Sequence, residues 1–261
     1  MSKTVEEIKK ENVKKERKTG RNTGLILVLS GILLFVFFST NSCSQIRGSG
    51  NTVEQGREVS GFDEIELDGF GEIILNQGER EGLVIEAEDN LMEFIETSVS
   101  GDRLTIKVGD RRPIMPTRGM KFYITVTELE RININGAGSV SADSLTTDSL
   151  QFEIDGSSSI EIDELNSDEL ESNIDGLGSI EVSGRVKTIK IEINGSGTFD
   201  GKELQSEEAE IEINGLGSVD VAVSDELDIE INGSGSVSYS GSPNINQDIN
   251  GLGSVSQTGG R

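Results

Sequence analysis

The sequence has no histidine, no tryptophan, one cysteine and three prolines in 261 residues. Without histidine there is no Ser-His-Asp or Cys-His relay and no imidazole metal site. The single thiol, Cys43, excludes an intramolecular disulfide and any paired-cysteine centre. Phe and Tyr number only 9 and 2, so the core must be thin and built from aliphatic side chains. Positive charge is scarce: 23 Lys and Arg stand against 47 Asp and Glu, for a net charge of −24. Eight of the basic and four of the acidic residues fall within the first 43, which leaves 15 and 43 beyond them. Such a body repels nucleic acid and anionic membrane surfaces, and nucleic acid is not expected as a partner.

What the sequence does have is glycine, 32 of them, and a repeat. A hexapeptide recurs seven times: NGAGSV from Asn135, DGSSSI from Asp155, DGLGSI from Asp175, NGSGTF from Asn194, NGLGSV from Asn214, NGSGSV from Asn232 and NGLGSV from Asn250. The steps are 20, 20, 19, 20, 18 and 18 residues. A fixed period of this length predicts a stack of short coils. An isoleucine precedes every copy (Ile134, Ile154, Ile174, Ile193, Ile213, Ile231, Ile249), and apolar residues recur two positions back, as in Leu150-x-Phe152-x-Ile154. That alternation is a strand with one dry and one wet face.

The Asn-Gly or Asp-Gly pair then ends the strand. The pairs are Asn135-Gly136, Asp155-Gly156, Asp175-Gly176, Asn194-Gly195, Asn214-Gly215, Asn232-Gly233 and Asn250-Gly251. Both residue types tolerate positive φ, which predicts a tight turn. A second glycine adds a permissive position at Gly138, Gly178, Gly197, Gly217, Gly235 and Gly253, with Ser158 in its place once. The apolar face resumes at Val140, Ile160, Ile180, Phe199, Val219, Val237 and Val255. Each coil therefore reads as strand, glycine turn, strand and a looser return.

Stacked in register, the coils pair as parallel strands ~4.8 Å apart. β-branched residues suit such columns because their rotamers are already stiff. One coil alone orders about 19 residues at roughly 1–2 kcal/mol each. It buries about six aliphatic side chains at roughly 1.5–3 kcal/mol each, so it needs neighbours on both sides. The Asn/Asp column invites comparison with calcium-binding rolls. Its period is about twice too long for them, and serine stands where a ligating aspartate is needed, so no metal or other cofactor is expected.

In chain order, residues 1–23 are mixed charge. Gly24 to Phe38 is fifteen residues without a charge, short of the about 20 that span a bilayer and close to a signal-peptide core. The segment STNSC follows, and its Cys43 resembles the lipidated cysteine of a bacterial lipoprotein, although Thr40 stands where an aliphatic residue is usual. Residues 1–43 thus read as a signal peptide or an uncleaved membrane anchor, with 44–261 outside the cytoplasm either way. Residues 44–52 read as a polar spacer, 53–129 as the N-terminal β part and 130–261 as the repeat region. Asp68-Gly69-Phe70-Gly71 is a degenerate copy of the turn, and NLMEFIET at 90–97 fits one or two helical turns. The loop RRPIMPTRG at 111–119 is the most basic spot beyond the leader. In the last coil Pro243, Gln247 and Gln257 blunt an edge strand, and a second copy could also cover that edge.

The strings EVSGFDEIELDGFGEIILNQG and IEAEDNLMEFIETSVSGDRLTIKV, followed by repeated INGSGSV motifs, resemble the head GIN domain family of bacterial auto-transporter adhesins over about 53–256. The resemblance implies an all-β, right-handed parallel solenoid of two sheets on a cell-envelope protein, with adhesion as its role and no catalytic residues; a structural spacer on the envelope is the other non-enzymatic reading. A surface protein or a glycan would be its ligand. Two other readings remain open. A carbohydrate-active enzyme could use the carboxylate row Glu153, Glu192, Glu212 and Glu230, although stacked strands place identical side chains ~4.8 Å apart in any case. An envelope sensor would need the anchor uncleaved.

Overall fold

The structure is a computed structural model that describes residues 45–109 and 112–259. The leader, the apolar segment Gly24 to Phe38 and Cys43 lie outside those residues. From Gln45 onward the chain forms one compact unit. Among the described residues the one helical element is a 3₁₀ turn, Met92–Phe94, inside the stretch read as helical; the regular structure is otherwise strand.

The alternation in the sequence produces a parallel β-solenoid. The first face of each coil is the strand that ends at the isoleucine before the turn. These strands are Arg131–Ile134, Ser149–Ile154, Glu169–Ile174, Thr188–Ile193, the stretches 208–213 and 226–231, and Asn244–Ile249. Equivalent residues stand opposite one another, so Ile134, Ile154, Ile174, Ile193, Ile213, Ile231 and Ile249 form one column. The second face begins after the turn with Ala137–Ala142 and repeats to Leu252–Gln257. Its inner column is Val140, Ile160, Ile180, Phe199, Val219, Val237 and Val255. The return that reads as loose in sequence also carries a short third column, Leu145, Leu165, Gly184 and Leu204.

The unequal coil lengths are absorbed on this third face. Pairing holds from 196 to 201 against 216 to 221, breaks, and holds again from 208 to 213 against 226 to 231. The two residues missing from the 18-residue step are lost between those blocks. The single residue missing from the 19-residue step is lost between Ile162 and Leu165. The turn and the two long faces stay constant because a one-residue slip there would turn the isoleucines outward.

Volume is matched across rungs as well as along them. Phe152 is fully buried and stands opposite Ser172, also fully buried, which in turn faces Ile191. A small residue beside a large one keeps the column filled without overpacking.

The turn glycines are needed for a reason other than the expected one. Among the described residues no non-glycine has a positive φ, and neither glycine of the seven hexapeptides does. Only the degenerate copy uses that region, at Gly69 (φ 128°) and Gly71 (φ 150°). The first glycine of each hexapeptide instead lets backbones stack: a Cβ on Gly156 would sit 1.7 Å from the carbonyl oxygen of Gly136, and one on Gly176 2.0 Å from that of Gly156. The second glycine makes room for the isoleucine column; a Cβ on Gly178 would lie 2.8 Å from Ile174 Cγ2.

The first coil is interrupted. Glu64–Asp68 and Phe70–Gln77 pair in register with Arg131–Ile134 and Ala137–Ala142, and Gly71 faces Gly138, so the degenerate copy is a true rung. Between that rung and the next, the chain inserts strands that extend both columns in the other direction. Arg103–Val108 and Lys121–Val126 pair parallel to the first rung. Ile95–Ser100 and Gly82–Glu88 then pair antiparallel, and Thr52–Arg57, which precedes the first rung in the chain, pairs antiparallel with Gly82–Glu88. Leu83, Ile85, Leu91, Ile95 and Phe122 fill this end of the core.

At the far end, Gln247 pairs with Ile229 and Gln257 with Tyr239, so polar side chains take inward positions as expected. The Gln257 amide donates to the Gly241 carbonyl at 2.7 Å.

Candidate ligand-binding groove

The third face, where coil length changes, carries three adjoining hollows. One of about 320 Å³ is lined by Gln77, Thr146, Asn166 and Asp168 among others. A second, about 530 Å³, shares Thr146 and Asn166 with it and adds Leu165, Gly184, Arg185 and Gln205. A third, also about 530 Å³, shares Arg185 and Gln205 and continues past Val186, Val223 and Ser240. Together they form a groove crossing successive coils. Its floor is aliphatic (Leu145, Leu165, Val186, Val223) because these side chains belong to the core. Its rim is amide, hydroxyl and guanidinium, with carboxylates from Glu128, Asp148, Glu164, Asp168 and Glu207.

Parallel pairing places Asn166 beside Arg185 and Arg185 beside Gln205. The Arg185 guanidinium donates to Gln205 Oε1 at 3.4 Å, and all three side chains are exposed. The other cations of the repeat region are mostly committed. Arg131 pairs with Glu64, Lys187 with Asp168, and Lys202 with Asp200 and Asp220. Among the described residues Arg185 makes no ion pair. A planar donor fork beside carboxamides and carboxylates on an aliphatic floor suits a ligand rich in hydroxyl groups, which can donate to the carboxylates and accept from the fork.

The residues singled out by the repeat lie on a different edge, where the first face meets the second. There the asparagines form a hydrogen-bonded ladder. Asn194 Nδ2 donates to Asp175 Oδ1 (2.8 Å), Asn214 to Asn194 Oδ1 (3.0 Å), Asn232 to Asn214 Oδ1 (3.0 Å) and Asn250 to Asn232 Oδ1 (3.3 Å). Asn135 donates to Asp68 and Glu66. The same amides hold the carboxylate row: Glu192, Glu212 and Glu230 each accept from the asparagine two residues on, at 2.7–2.8 Å, and Glu153 accepts from Asn133. A glycosidase needs two carboxylates in different environments, whereas Glu192, Glu212 and Glu230 share one; Glu153, beside Asn133 and Arg131, stands apart from them. Among the described residues no group of three or more Asp, Glu or Cys is placed to hold a metal ion.

A third polar cluster joins the basic loop to the spacer. Glu88, with only 1% of its surface exposed, accepts from the backbone N–H of Gly50 and Thr117 and from the Thr117 hydroxyl, at 2.5–2.7 Å. That hydroxyl contact holds its carboxyl below the ordinary value of 4.5, while burial acts the other way. Asp89 accepts from the Ser49 hydroxyl and Asn51, which also lower its pKa. Asn90 donates to the Arg47 carbonyl and accepts from the Ser49 N–H. Ile46–Arg47 pairs with Ile114–Met115. Residues 46–51, which read as a polar spacer, are therefore fastened to the head, and the loop's Thr117 is part of the fastening.

The groove residues Asn166, Arg185 and Gln205 carry no motif. The one sequence signal near them is the change in coil step from 20 to 19 and later 18.

Residues 61–243 match the family described as "Putative auto-transporter adhesin, head GIN domain". Among solved structures, the chain resembles a putative adhesin from Bacteroides fragilis with a TM-score of 0.79 and 25% identity, over 82% of this chain and all of that one. A putative lipid binding protein from Parabacteroides distasonis matches with a TM-score of 0.68 and 24% identity, over 83% of this chain and all of that one. A putative adhesin from Parabacteroides merdae matches at 0.62 and 17%, over 82% of this chain and 99% of that one. No curated relative matches the chain.

Proposed function

The chain belongs to the head GIN domain family, and on that premise we propose that it is a non-enzymatic adhesin of the cell envelope that grips an extended, hydroxyl-rich glycan in the third-face groove. The observation that carries this reading is the continuity of the three hollows through Asn166, Arg185 and Gln205. A groove that crosses coils presents similar donors at steps of ~4.8 Å, so an extended ligand can make several weak contacts whose effects multiply. Family membership supports a surface location. The attachment is either a lipid on Cys43 or an uncleaved helix from Gly24 to about Ser42. Intact mass of protein purified from its own membranes separates the two: loss of 1–42 with added acyl mass supports the lipid, and an intact N-terminus supports the helix.

The test of the groove is binding of the full-length protein to an array of neutral and acidic glycans beside matrix proteins. Arg185→Ala with Gln205→Ala should reduce glycan binding about tenfold, the factor that corresponds to ~1.4 kcal/mol. Ser179→Ala with Ser218→Ala, on the second face, should leave it unchanged. Equal binding by both double variants would remove the groove from the proposal. A ligand found only among proteins would remove the glycan.

A further inference from the structure

Five of the turns carry Asn-Gly, the dipeptide in which the asparagine side chain is most open to attack by the following backbone nitrogen. By sequence all five are equal. The ladder makes them unequal.

In the reaction the backbone nitrogen of the glycine gives up its proton to hydroxide and bonds to asparagine Cγ. The Cγ–Nδ2 bond breaks and ammonia leaves. Water then opens the cyclic imide at either carbonyl, giving aspartate or its β-linked isomer. The side chain must first swing free so that Cγ meets the nitrogen. At Asn194, Asn214 and Asn232 this breaks two bonds from Nδ2, of 2.7–3.0 Å, and one received at Oδ1. The attacking nitrogens are engaged too: the N–H groups of Gly195, Gly215 and Gly233 donate to Ile174, Ile193 and Ile213 at 3.0–3.1 Å.

The Gly251 N–H donates likewise, to Ile231 at 3.2 Å, so what sets Asn250 apart is its side chain, which is held least. Its Nδ2 makes one bond, at 3.3 Å, because Asp248 replaces the glutamate found two residues before Asn194, Asn214 and Asn232. Among the described residues no amide donates to its Oδ1. Asn135 is intermediate. Its Nδ2 has two acceptors, but the Gly136 N–H has no partner among the described residues.

We propose that Asn250 is a spontaneous deamidation site of this protein, that Asn135 follows, and that the ladder protects the three between. The product has a structural consequence. The β-linked isomer adds a carbon to the backbone at a rung where a Cβ on Gly251 would already lie 1.9 Å from the Gly233 carbonyl oxygen. The rung 244–257 therefore loses its register once Asn250 converts.

The full-length protein is incubated in mildly alkaline buffer at body temperature, and each turn is followed by peptide mapping that resolves aspartate from its isomer. Asn250 should convert at least about tenfold faster than Asn194, Asn214 and Asn232, the ratio that ~1.4 kcal/mol of local opening gives. In denaturant the five rates should converge. Equal rates in the native protein, or a middle site converting first, would overturn the proposal. Glu212→Ala, which removes one of the two Nδ2 acceptors of Asn214, should accelerate Asn214 alone; an unchanged rate there would overturn the protective role of the ladder.

Discussion

The repeat region, from Arg131 on, and the N-terminal part before it are held together in different ways. In the repeat, each residue meets its equivalent one coil away, so a local pattern written seven times specifies the packing. In the N-terminal part the strands turn antiparallel, and one buried carboxylate, Glu88, joins segments 29 and 38 residues away in sequence. The repeat cannot tolerate added atoms where its backbones stack. The N-terminal part has room at Gly56 and Gly82, though not at Gly48, Gly69 or Gly71, and it depends on one polar knot. Periodic structure is thus intolerant at every rung, and the irregular part only at particular places.

The largest effect that tests this contrast is Gly156→Ala, whose new methyl would meet the Gly136 carbonyl. Chemical denaturation should show a loss of about 3 kcal/mol or more, as expected where backbone cannot yield. Gly82→Ala is the counterpart in the N-terminal part. It has φ outside the left-handed region and nothing within 4 Å of its new Cβ, so stability should change by about 1 kcal/mol or less. If the two substitutions cost the same, stacking is not what makes the repeat intolerant.

How much of this was legible follows from the same contrast. The columns were, because period-two alternation inside a fixed step leaves few ways to bury Ile134, Ile154 and Ile174. The degenerate rung at Asp68 was legible for the same reason. The role of Glu88-Asp89-Asn90 was not, since its partners Gly50, Asn51 and Thr117 share no pattern with it. The groove was legible only as a change in step, and that change does not say which face absorbs it. The turn glycines were found for the wrong reason: one chain segment suggests a positive φ that the seven turns do not use, and only the neighbouring coil shows that a Cβ has no space.

A smaller effect should come from Asn214→Ala. It removes the donors to Asn194 and Glu212 and the acceptor of Asn232 on an exposed edge, so about 1 kcal/mol should be lost in denaturation. A loss near zero would mean the ladder orders side chains without stabilising the rungs.

The smallest global effect, and the most local, concerns pH. Glu88 and Asp89 have lowered folded-state pKa values, so their stabilisation is complete above the unfolded values of 4.5 and 3.8. It is lost as pH falls through the lowered values. Hydrogen exchange at residues 46–51 and 114–118 should rise on acidification while the isoleucine columns stay protected. Simultaneous exposure of both would show that the knot is not a separate unit.

The sequence by itself determined the coil, its inward residues and the stacking of equivalent positions, because an alternating apolar face of fixed period can be buried only against its own copies. Tertiary structure alone decided where the odd residues of unequal coils go, what Glu88 holds and why the glycines cannot be replaced. Each of those depends on atoms that meet across rungs or across distant segments, and such distances are not contained in a one-dimensional period.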